Sequence, residues 1–382
     1  MKFLHLSDLH LGRMLHRYSL QEEQTELLEH LLQLAAQEKP DAVLIAGDVY
    51  DKSIPPIYAT QLLDRFLAAL VKVAEVFIIS GNHDSAERLG FLSGPLALSG
   101  LHIAPAYRGH VQPITLKDAD GPVDIWLLPF VKAATVRPYF PDEEIENTHQ
   151  AVSCAIRAMR IDPTRRNVLV CHQFVAGSTV SGSEESLATA DISVGGSDMV
   201  GASIFTPFDY VALGHIHRAQ NAGDRIRYCG TPMAYDFSEA RQEKSVTVIE
   251  LDGDRTLHIR TAAIPTPRRL VEVRGSFAEV TGEAAAIAAD RDAYTHVILT
   301  DDAIIPDVMN RLRQVYPRIT HLDWDNARMR HTEELGSRPD EGFQTPDAVF
   351  SSFYQRMTGM DMTDLQKEYI AHLIREIWEE QA

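Results

Sequence analysis

Five short polar motifs in the first part of the chain carry the side chains that bind divalent metal ions in proteins. They supply carboxylates, one carboxamide and several imidazoles, a mixture that suits Mn²⁺, Fe²⁺ or Zn²⁺ and argues against a thiolate site. The motifs are Ser7-Asp8-Leu9-His10, Gly47-Asp48-Val49-Tyr50-Asp51, Gly81-Asn82-His83-Asp84, His172 and Gly214-His215-Ile216-His217. Two ions about 3.5–4 Å apart need a bridging carboxylate, and Asp48 is the candidate for that position.

Taken singly, each motif has an ordinary structural explanation. An Asp-x-His or Gly-Asp pair after a strand is usually a turn, and His172 alone would be a buried core histidine. Gly-Asn-His-Asp is rarer, and His215 and His217 lie on the same side of an extended segment. The combination of all five at strand ends favours a metal centre. The glycines before Asp48, Asn82 and His215 are expected to let the backbone turn sharply off its strand.

Strands and helices alternate through the region that contains these motifs. Leucine stripes at helical spacing predict helices over 21–37 and 58–72. β-Branched and apolar runs predict strands at 2–6, 42–46, 76–79, 101–104, 124–128, 167–171, 209–213, 225–228 and 245–251. The alternation predicts a layered α/β fold with sheets flanked by helices, and the closely spaced late strands indicate antiparallel additions. Because the carboxyl ends of parallel strands share one edge, the motifs are expected to converge there.

The composition is that of a folded globular protein. The chain has 382 residues, of which 45% are hydrophobic and 24% charged, and such a length suggests roughly two to three domains. The longest apolar runs are far shorter than the ~18 residues of a membrane span. Asp8 and His10 interrupt the N-terminal apolar run before a signal peptide could form. The widely spaced Cys154, Cys171 and Cys229 are expected to be reduced, buried thiols of a cytoplasmic protein.

The charge balance is acidic, with 36 basic against 54 acidic residues and a net charge of −18. A protein that binds nucleic acid by phosphate neutralisation alone is normally basic over the face concerned. Either the substrate is therefore not a polyanion, or metal ions and a partner supply the positive charge.

The chain changes character after residue 265. Two prolines in 264–269 predict an extended linker. Strands at 270–273, 295–300 and 319–322, with helices at 277–289 and 304–315, predict a small α/β domain over 266–325, followed by a polar linker over 326–344. A helix that begins at Thr345-Pro346 and a second that begins with a Thr363–Gln366 capping box predict a helical pair over 345–382. Their apolar stripes would dock on their own domain or on another protein.

The five motifs resemble those of the calcineurin-like metallophosphoesterases, and the similarity covers roughly 1–250. Within that superfamily, 5–12, 46–51 with Pro55-Pro56, and 212–220 are similar to the nuclease subunits of bacterial DNA-repair complexes that contain a long coiled-coil ATPase. The resemblance implies a layered sandwich with a nuclease domain over 1–265, a capping domain over 266–325 and a C-terminal segment over 345–382 that binds the ATPase.

The resemblance also implies a role for each motif residue, with Mn²⁺ as the metal that the family suggests. The ligands of one ion would be Asp8, His10, Asp48 and His217. The ligands of the other would be Asp48, Asn82, His172 and His215. The two ions would neutralise charge on the phosphate and lower the pKa of the attacking water.

The same resemblance implies that His83 protonates the leaving oxygen and that Asp84 orients its ring. Some relatives carry a further histidine where this chain has Asp51, so a second such histidine is not expected. The implied substrates are double-stranded DNA ends and hairpins, cut by exonuclease and endonuclease action in DNA repair, recombination and replication at the nucleoid. The family pairs as homodimers, here through 58–72 and 86–98, to form a heterotetramer with the ATPase.

Two other functions are compatible with the same metal centre. A relative could hydrolyse small phosphoesters, cyclic nucleotides or phosphoproteins, although the segments after residue 265 argue against a minimal phosphoesterase. A scaffold could keep the metal-bound fold without catalysis, although such proteins usually lose ligands and this chain keeps all of them together with His83.

Overall fold

The structure is a computed structural model that describes residues 1–179, 199–303, 305–325, 350–351, 354–355 and 361–379. The chain forms two compact units. The first contains Met1–Val271 and Asp292–Tyr294, and the second contains Glu272–Arg291 and Thr295–Ala382.

The first unit contains two six-stranded sheets. The strands of one sheet are β1 (Lys2–Leu6), β4 (Ala42–Ala46), β5 (Glu75–Ile79), β6 (Leu101–Ala104), β13 (Ser245–Leu251) and β14 (Leu257–Ala263). Their order is β14-β13-β1-β4-β5-β6. Strands β1, β4, β5 and β6 are parallel, while β13 and β14 are added antiparallel.

The second sheet of this unit has a parallel centre. Its strands are β7 (Ile114–Asp118), β8 (Gly121–Leu128), β9 (Arg166–His172), β10 (Tyr210–Gly214), β11 (Gln220–Gly223) and β12 (Ile226–Tyr228). Their order is β11-β12-β10-β9-β8-β7. The four strands β8, β9, β10 and β12 run parallel, and β7 and β11 are antiparallel edges. A short hairpin of β2 (Met14–Leu15) and β3 (Tyr18–Ser19) follows β1.

The two sheets pack face to face and their outer faces are covered by helices. Phe3, Leu44 and Phe77 of one sheet share a fully buried cluster with Ile125 and Val170 of the other. Each such side chain contributes about 1.5–3 kcal/mol by leaving water. The helices are α1 (Gln21–Glu38), α2 (Ile57–Leu70), α3 (Ala86–Leu89), α4 (Ser93–Ala97), α5 (Ala133–Val136) and α6 (Thr148–Ala158). The layered α/β sandwich predicted from the sequence is confirmed.

Strand alternation explains how the layers form. In β1, Leu4 and Leu6 pack in the same cluster as Leu27 and Leu31 of α1, while Phe3 faces the second sheet. The predicted boundaries of α1 hold because Lys39 ends the helix in a left-handed conformation before Pro40. The sequence analysis missed β7, β14 and α6, whose apolar patterns are weak.

The second unit is centred on a three-stranded sheet with the order β15-β16-β17. Its elements are β15 (Leu270–Gly275), α7 (Phe277–Thr281), α8 (Glu283–Ala288), β16 (Tyr294–Leu299), α9 (Val308–Val315) and β17 (Ile319–Trp324). Val297, Leu299, Leu312 and Ile319 form its buried core.

Two predicted helices of this unit have different boundaries in the structure. The helix predicted over 277–289 is two helices, because Gly282 adopts an extended conformation with φ −62° and ψ 163°. The helix predicted over 304–315 begins at Val308, after Pro306, since a proline disfavours helical geometry in the residue before it.

The last described helix is α10 (Asp364–Glu379). It begins with the predicted capping box: the backbone N–H of Thr363 donates to Oε1 of Gln366, and that of Gln366 donates to Oγ1 of Thr363. The predicted linker 326–344 and most of the first helix of the C-terminal pair lie outside the described residues. Among the described residues, no helix is long and apolar enough to cross a membrane.

Candidate metal centre

The five motifs follow the carboxyl ends of β1, β4, β5, β9 and β10, and the structure brings all nine predicted site residues into one region. Backbone bonds join the first two loops: Asp8 N–H donates to the Gly47 carbonyl at 3.0 Å, and His10 N–H donates to the Asp48 carbonyl at 3.0 Å. These loops run in register beyond the strands that they follow.

Four of the site residues have left-handed backbone conformations that L residues seldom adopt. The φ angles are 53° at Asp8, 41° at His10, 48° at Asp48 and 96° at His215. Such a residue costs on the order of 1–3 kcal/mol, and strain of this kind clusters at functional sites. The packing of the two sheets maintains four strained residues here, which points to selection for side-chain position.

One group of donors consists of Asp8, His10 and His217, whose ligand atoms lie within 4.8 Å of one another. Nε2 of His10 is 3.2 Å from Nε2 of His217. Nδ1 of His217 lies 2.9 Å from the Glu239 carboxylate and donates a proton to it, which leaves Nε2 as a lone pair. A lone pair aimed at a second imidazole nitrogen at this distance is the arrangement that a shared cation stabilises.

A second group consists of Asp48, Asn82, His172 and His215. Nδ1 of His172 donates to the Ala46 carbonyl at 2.7 Å, so Nε2 is the free ligand atom. That Nε2 lies 3.1 Å from Oδ1 of Asn82 and 3.4 Å from Oδ2 of Asp48. Nδ1 of His215 is 3.0 Å from the same Asn82 oxygen.

Asp48 lies between the two groups. Its Oδ2 is 3.4 Å from His172 and 3.9 Å from His10, while its Oδ1 accepts the backbone N–H of His83 at 2.9 Å. Burial acts to raise the pKa of Asp48, but the imidazoles of His172 and His10 hold it well below its ordinary value. Burial raises the pKa of Asp8, and the charge of Asp48 adds to this effect. Buried carboxylates among nitrogen and amide-oxygen donors fit divalent cations of the Mn²⁺, Fe²⁺ and Zn²⁺ type.

His83 lies at the rim of this cluster. Its side chain is 29% exposed, whereas that of Asp48 is 3% exposed. Nδ1 of His83 donates to the backbone carbonyl of Asp51 at 2.9 Å, and Nε2 is 3.9 Å from Oδ2 of Asp48. The ring therefore presents one nitrogen to the site while the other is held by the backbone.

The expectation that Asp84 orients the ring of His83 is corrected by these contacts. The Asp84 carboxylate instead accepts three backbone N–H groups, from Val49 at 3.1 Å, Tyr50 at 2.9 Å and Gly81 at 2.9 Å. Burial, with the nearby charge of Asp48, raises the pKa of Asp84 to about 6. Asp84 thus joins the loops after β4 and β5, and the carbonyl of Asp51 orients the ring.

The glycines of the motifs have two different functions. Gly47 has φ +87° and makes the predicted turn. Gly81 and Gly214 are required for close packing instead, because an added Cβ would lie 2.1 Å from Oδ1 of Asp48 and 1.9 Å from the Ala46 carbonyl oxygen, respectively.

A buried ion pair beside His217 was missed by the sequence analysis. Glu239 is fully buried, and its second oxygen accepts from Nζ of Lys244 at 2.6 Å and from the Thr231 hydroxyl at 2.9 Å. Burial would raise the pKa of Glu239, but its bonds to His217 and Lys244 lower it to about 2. No motif spacing points to Glu239, so a sequence pattern alone could not have identified it.

Comparisons with known proteins agree with this fold and donor set. The family model of calcineurin-like phosphoesterases matches residues 1–219. A second model, described as the type 5 capsule protein repressor C-terminal domain, matches residues 266–358. The protein is therefore an enzyme of the phosphodiester hydrolase class with a calcineurin-like phosphoesterase fold.

Full-length relatives define the family more narrowly. The chain is 31% identical over 380 residues to the SbcD subunit of the SbcCD nuclease of Staphylococcus epidermidis, covering 98% of both chains. It is 30% identical to the protein of the same name in Staphylococcus saprophyticus, covering 100% of this chain and 99% of the relative. The chain belongs to the SbcD family of calcineurin-like phosphoesterases.

Two solved structures are similar over part of the chain. A protein of Thermus thermophilus is 16% identical with a TM-score of 0.38 and covers 68% of this chain and 98% of its own. A dimetal phosphatase from Danio rerio is 11% identical with a TM-score of 0.39 and covers 69% of this chain and 96% of its own.

Proposed function

We propose that the protein is a metal-dependent DNA nuclease, the catalytic subunit of an SbcCD-type repair complex, which hydrolyses phosphodiesters with two divalent ions. The observation that carries this proposal is the position of Asp48 between two groups of nitrogen and oxygen donors. The names of the full-length relatives support the choice of DNA as substrate and of the ATPase SbcC as partner.

The proposed ligands divide between the two ions, with Mn²⁺ as the physiological metal. One ion is held by Asp8, His10, Asp48 and His217. The other is held by Asp48, Asn82, His172 and His215. When bound, such ions neutralise charge on the phosphate and make a water nucleophilic at neutral pH. The donor distances and the protonated Nδ1 of His217 support this division.

His83 is the proposed general acid. Its Nδ1 is occupied by the Asp51 carbonyl, so the proton for the departing 3′-oxygen comes from Nε2, which faces the site. Its partial exposure lets substrate reach this nitrogen. Asp84 acts as a positioning residue, because its three backbone contacts hold the loops that carry Asp48 and His83.

The acidic composition is consistent with a shared task. With a net charge of −18, the chain would rely on the ions and on SbcC for much of the attraction to DNA ends and hairpins. We propose that 266–325 forms a capping domain that helps to admit DNA and that 345–382 binds SbcC, in a cytoplasmic, nucleoid-associated complex. Leu365 and Tyr369 of α10 support the second role, since they are 80% and 64% exposed.

An apolar groove supports homodimer formation within a heterotetramer. It has a volume of about 550 Å³ and is lined by α2, α3 and α4. Phe91 and Leu92 line it and are 73% and 53% exposed, and nearby Leu98 is 92% exposed. Apolar side chains with such exposure mark interaction sites. Phe91→Glu is expected to convert the dimer to a monomer in light scattering, whereas an unchanged mass would contradict this interface.

A nuclease assay tests the proposed function. The purified chain should cut blunt and hairpin DNA weakly with Mn²⁺ and more rapidly with SbcC and ATP. Deleting 345–382 should abolish association with SbcC but spare the basal cutting. Hydrolysis of a small diester without any cutting of DNA, with or without SbcC, would favour the small-phosphoester alternative. Metal binding without hydrolysis of either substrate would favour the scaffold.

A further inference from the structure

A second cluster of imidazoles and carboxylates lies in the second unit, on the three-stranded sheet. Val297 and Leu299 of β16 point into the buried core on one face, so His296 lies on the opposite face. Glu272 of β15 and Asp323 of β17 also alternate with side chains that contact this core. These polar residues therefore share the face that the core of this unit does not use.

A β-bulge brings a second histidine to that face. Thr295 pairs with Ile319 but His296 pairs with His321, so Thr320 is an extra residue in β17. Without it, strict alternation from the buried Ile319 would direct His321 into the core. The bulge turns His321 outward beside His296, and bulges commonly redirect side chains at functional sites.

The ligand atoms of this cluster converge. Nε2 of His296 is 2.9 Å from one oxygen of Asp323, and Nε2 of His321 is 2.9 Å from the other. The two rings lie with centroids 5.3 Å apart. The three groups offer ligand atoms within 4.8 Å of one another. A tetrahedral ion with bonds of about 2.0–2.2 Å places its ligand atoms roughly 3.3 Å apart, so small ring rotations would complete the site.

We propose that His296, His321 and Asp323 form a separate Zn²⁺ site in the second unit. Two imidazoles and one carboxylate are a standard zinc donor set, whereas Mg²⁺ and Ca²⁺ prefer oxygen alone. Asp323 holds both Nε2 atoms towards one point and is replaced between them by the ion. Three protein ligands leave a fourth position for water or another ligand.

Glu272 supports this site from outside the ligand set. Its carboxylate is 3.7 Å from Nδ1 of His296, the nitrogen that does not face Asp323. A carboxylate on that side favours a proton on Nδ1 and keeps Nε2 as the ligand. Glu272→Gln is therefore expected to weaken zinc binding about tenfold while leaving the three ligands in place.

Zinc stoichiometry of the full-length protein tests the proposal. Protein stripped with a chelator is dialysed against buffered Zn²⁺, and bound zinc is measured by mass spectrometry. His321→Ala and Asp323→Asn should each bind one equivalent less than the wild type. Both side chains are 44–51% exposed, so folding should be preserved. His258→Ala is the matched control, because it removes an exposed histidine with one carboxylate partner at 3.2 Å.

The expected result is the loss of one equivalent in both site variants and none in the control. Crystals soaked in Zn²⁺ should also show an anomalous peak between His296 and His321. Equal zinc content in the wild type and His321→Ala, or an anomalous map without that peak, would overturn the proposal. Because both readouts compare only this face, zinc bound at the main centre does not affect the conclusion.

Discussion

The buried pair of Glu239 and Lys244 makes a specific prediction about metal affinity. Glu239→Gln keeps the shape of the side chain but removes the charge that faces Nδ1 of His217 and Nζ of Lys244. The glutamine amide can present either its oxygen or its nitrogen to that imidazole. His217 therefore loses the constraint that keeps its Nε2 free for a metal.

The magnitude follows from burial. The side chains of Glu239 and Lys244 are 0% and 4% exposed, so the substitution leaves a buried ammonium without its counter-charge. Breaking such a pair costs about 3–5 kcal/mol of unfolding free energy. Loss of the carboxylate behind a ligand histidine lowers metal affinity about 10- to 100-fold.

Two measurements separate these effects. Urea unfolding with a chelator present reports stability, and Mn²⁺ titration against a fluorescent chelator reports affinity. The double variant Glu239→Gln/Lys244→Met should recover much of the stability but none of the affinity. Glu250→Gln, at a carboxylate whose side chain is 51% exposed, should change neither quantity. Wild-type affinity in Glu239→Gln would refute the role assigned to its carboxylate.

Three further predictions follow from the structure. His83→Ala should lower kcat for DNA cleavage about 10²- to 10⁴-fold with unchanged Mn²⁺ content; an unchanged rate would exclude it as the acid. Asp118→Asn should destabilise the fold by about 2–3 kcal/mol at pH 7, because bonds from the buried Arg166 hold the pKa of Asp118 below its ordinary value. That contribution is present above pH of about 4 and is lost as pH falls, so urea unfolding should show the two proteins converging in acid; a constant difference would contradict this. Gly214→Ala should abolish soluble expression or metal binding, since its Cβ would meet backbone at 1.9 Å, whereas Gly94→Ala, with nothing within 4 Å, should behave as wild type.

The sequence could predict the site because its chemistry is local. Asp8, Asp48, Asn82 and His215 each follow a buried apolar run directly, so the end of the strand and the functional residue are adjacent in the chain. A parallel sheet then brings these ends together without further information. The layered fold followed from the same alternation of strands and helices.

Other features depend on contacts that no local pattern encodes. Glu239 approaches His217 only after the chain has folded, and it lies in a short turn without periodicity. The function of Gly214 is visible only when the Ala46 carbonyl is seen beside it. The sequence places Asp84 next to His83, yet its carboxylate turns to the backbone because three N–H groups of neighbouring loops need an acceptor.

Anomalous diffraction from crystals grown with Mn²⁺ tests the central claim most directly. The account predicts two peaks about 3.5–4 Å apart, one beside His10 and His217 and one beside Asn82 and His172, with the Asp48 carboxylate between them. A map with no peak among these side chains, or with a single ion that does not contact Asp48, would contradict it.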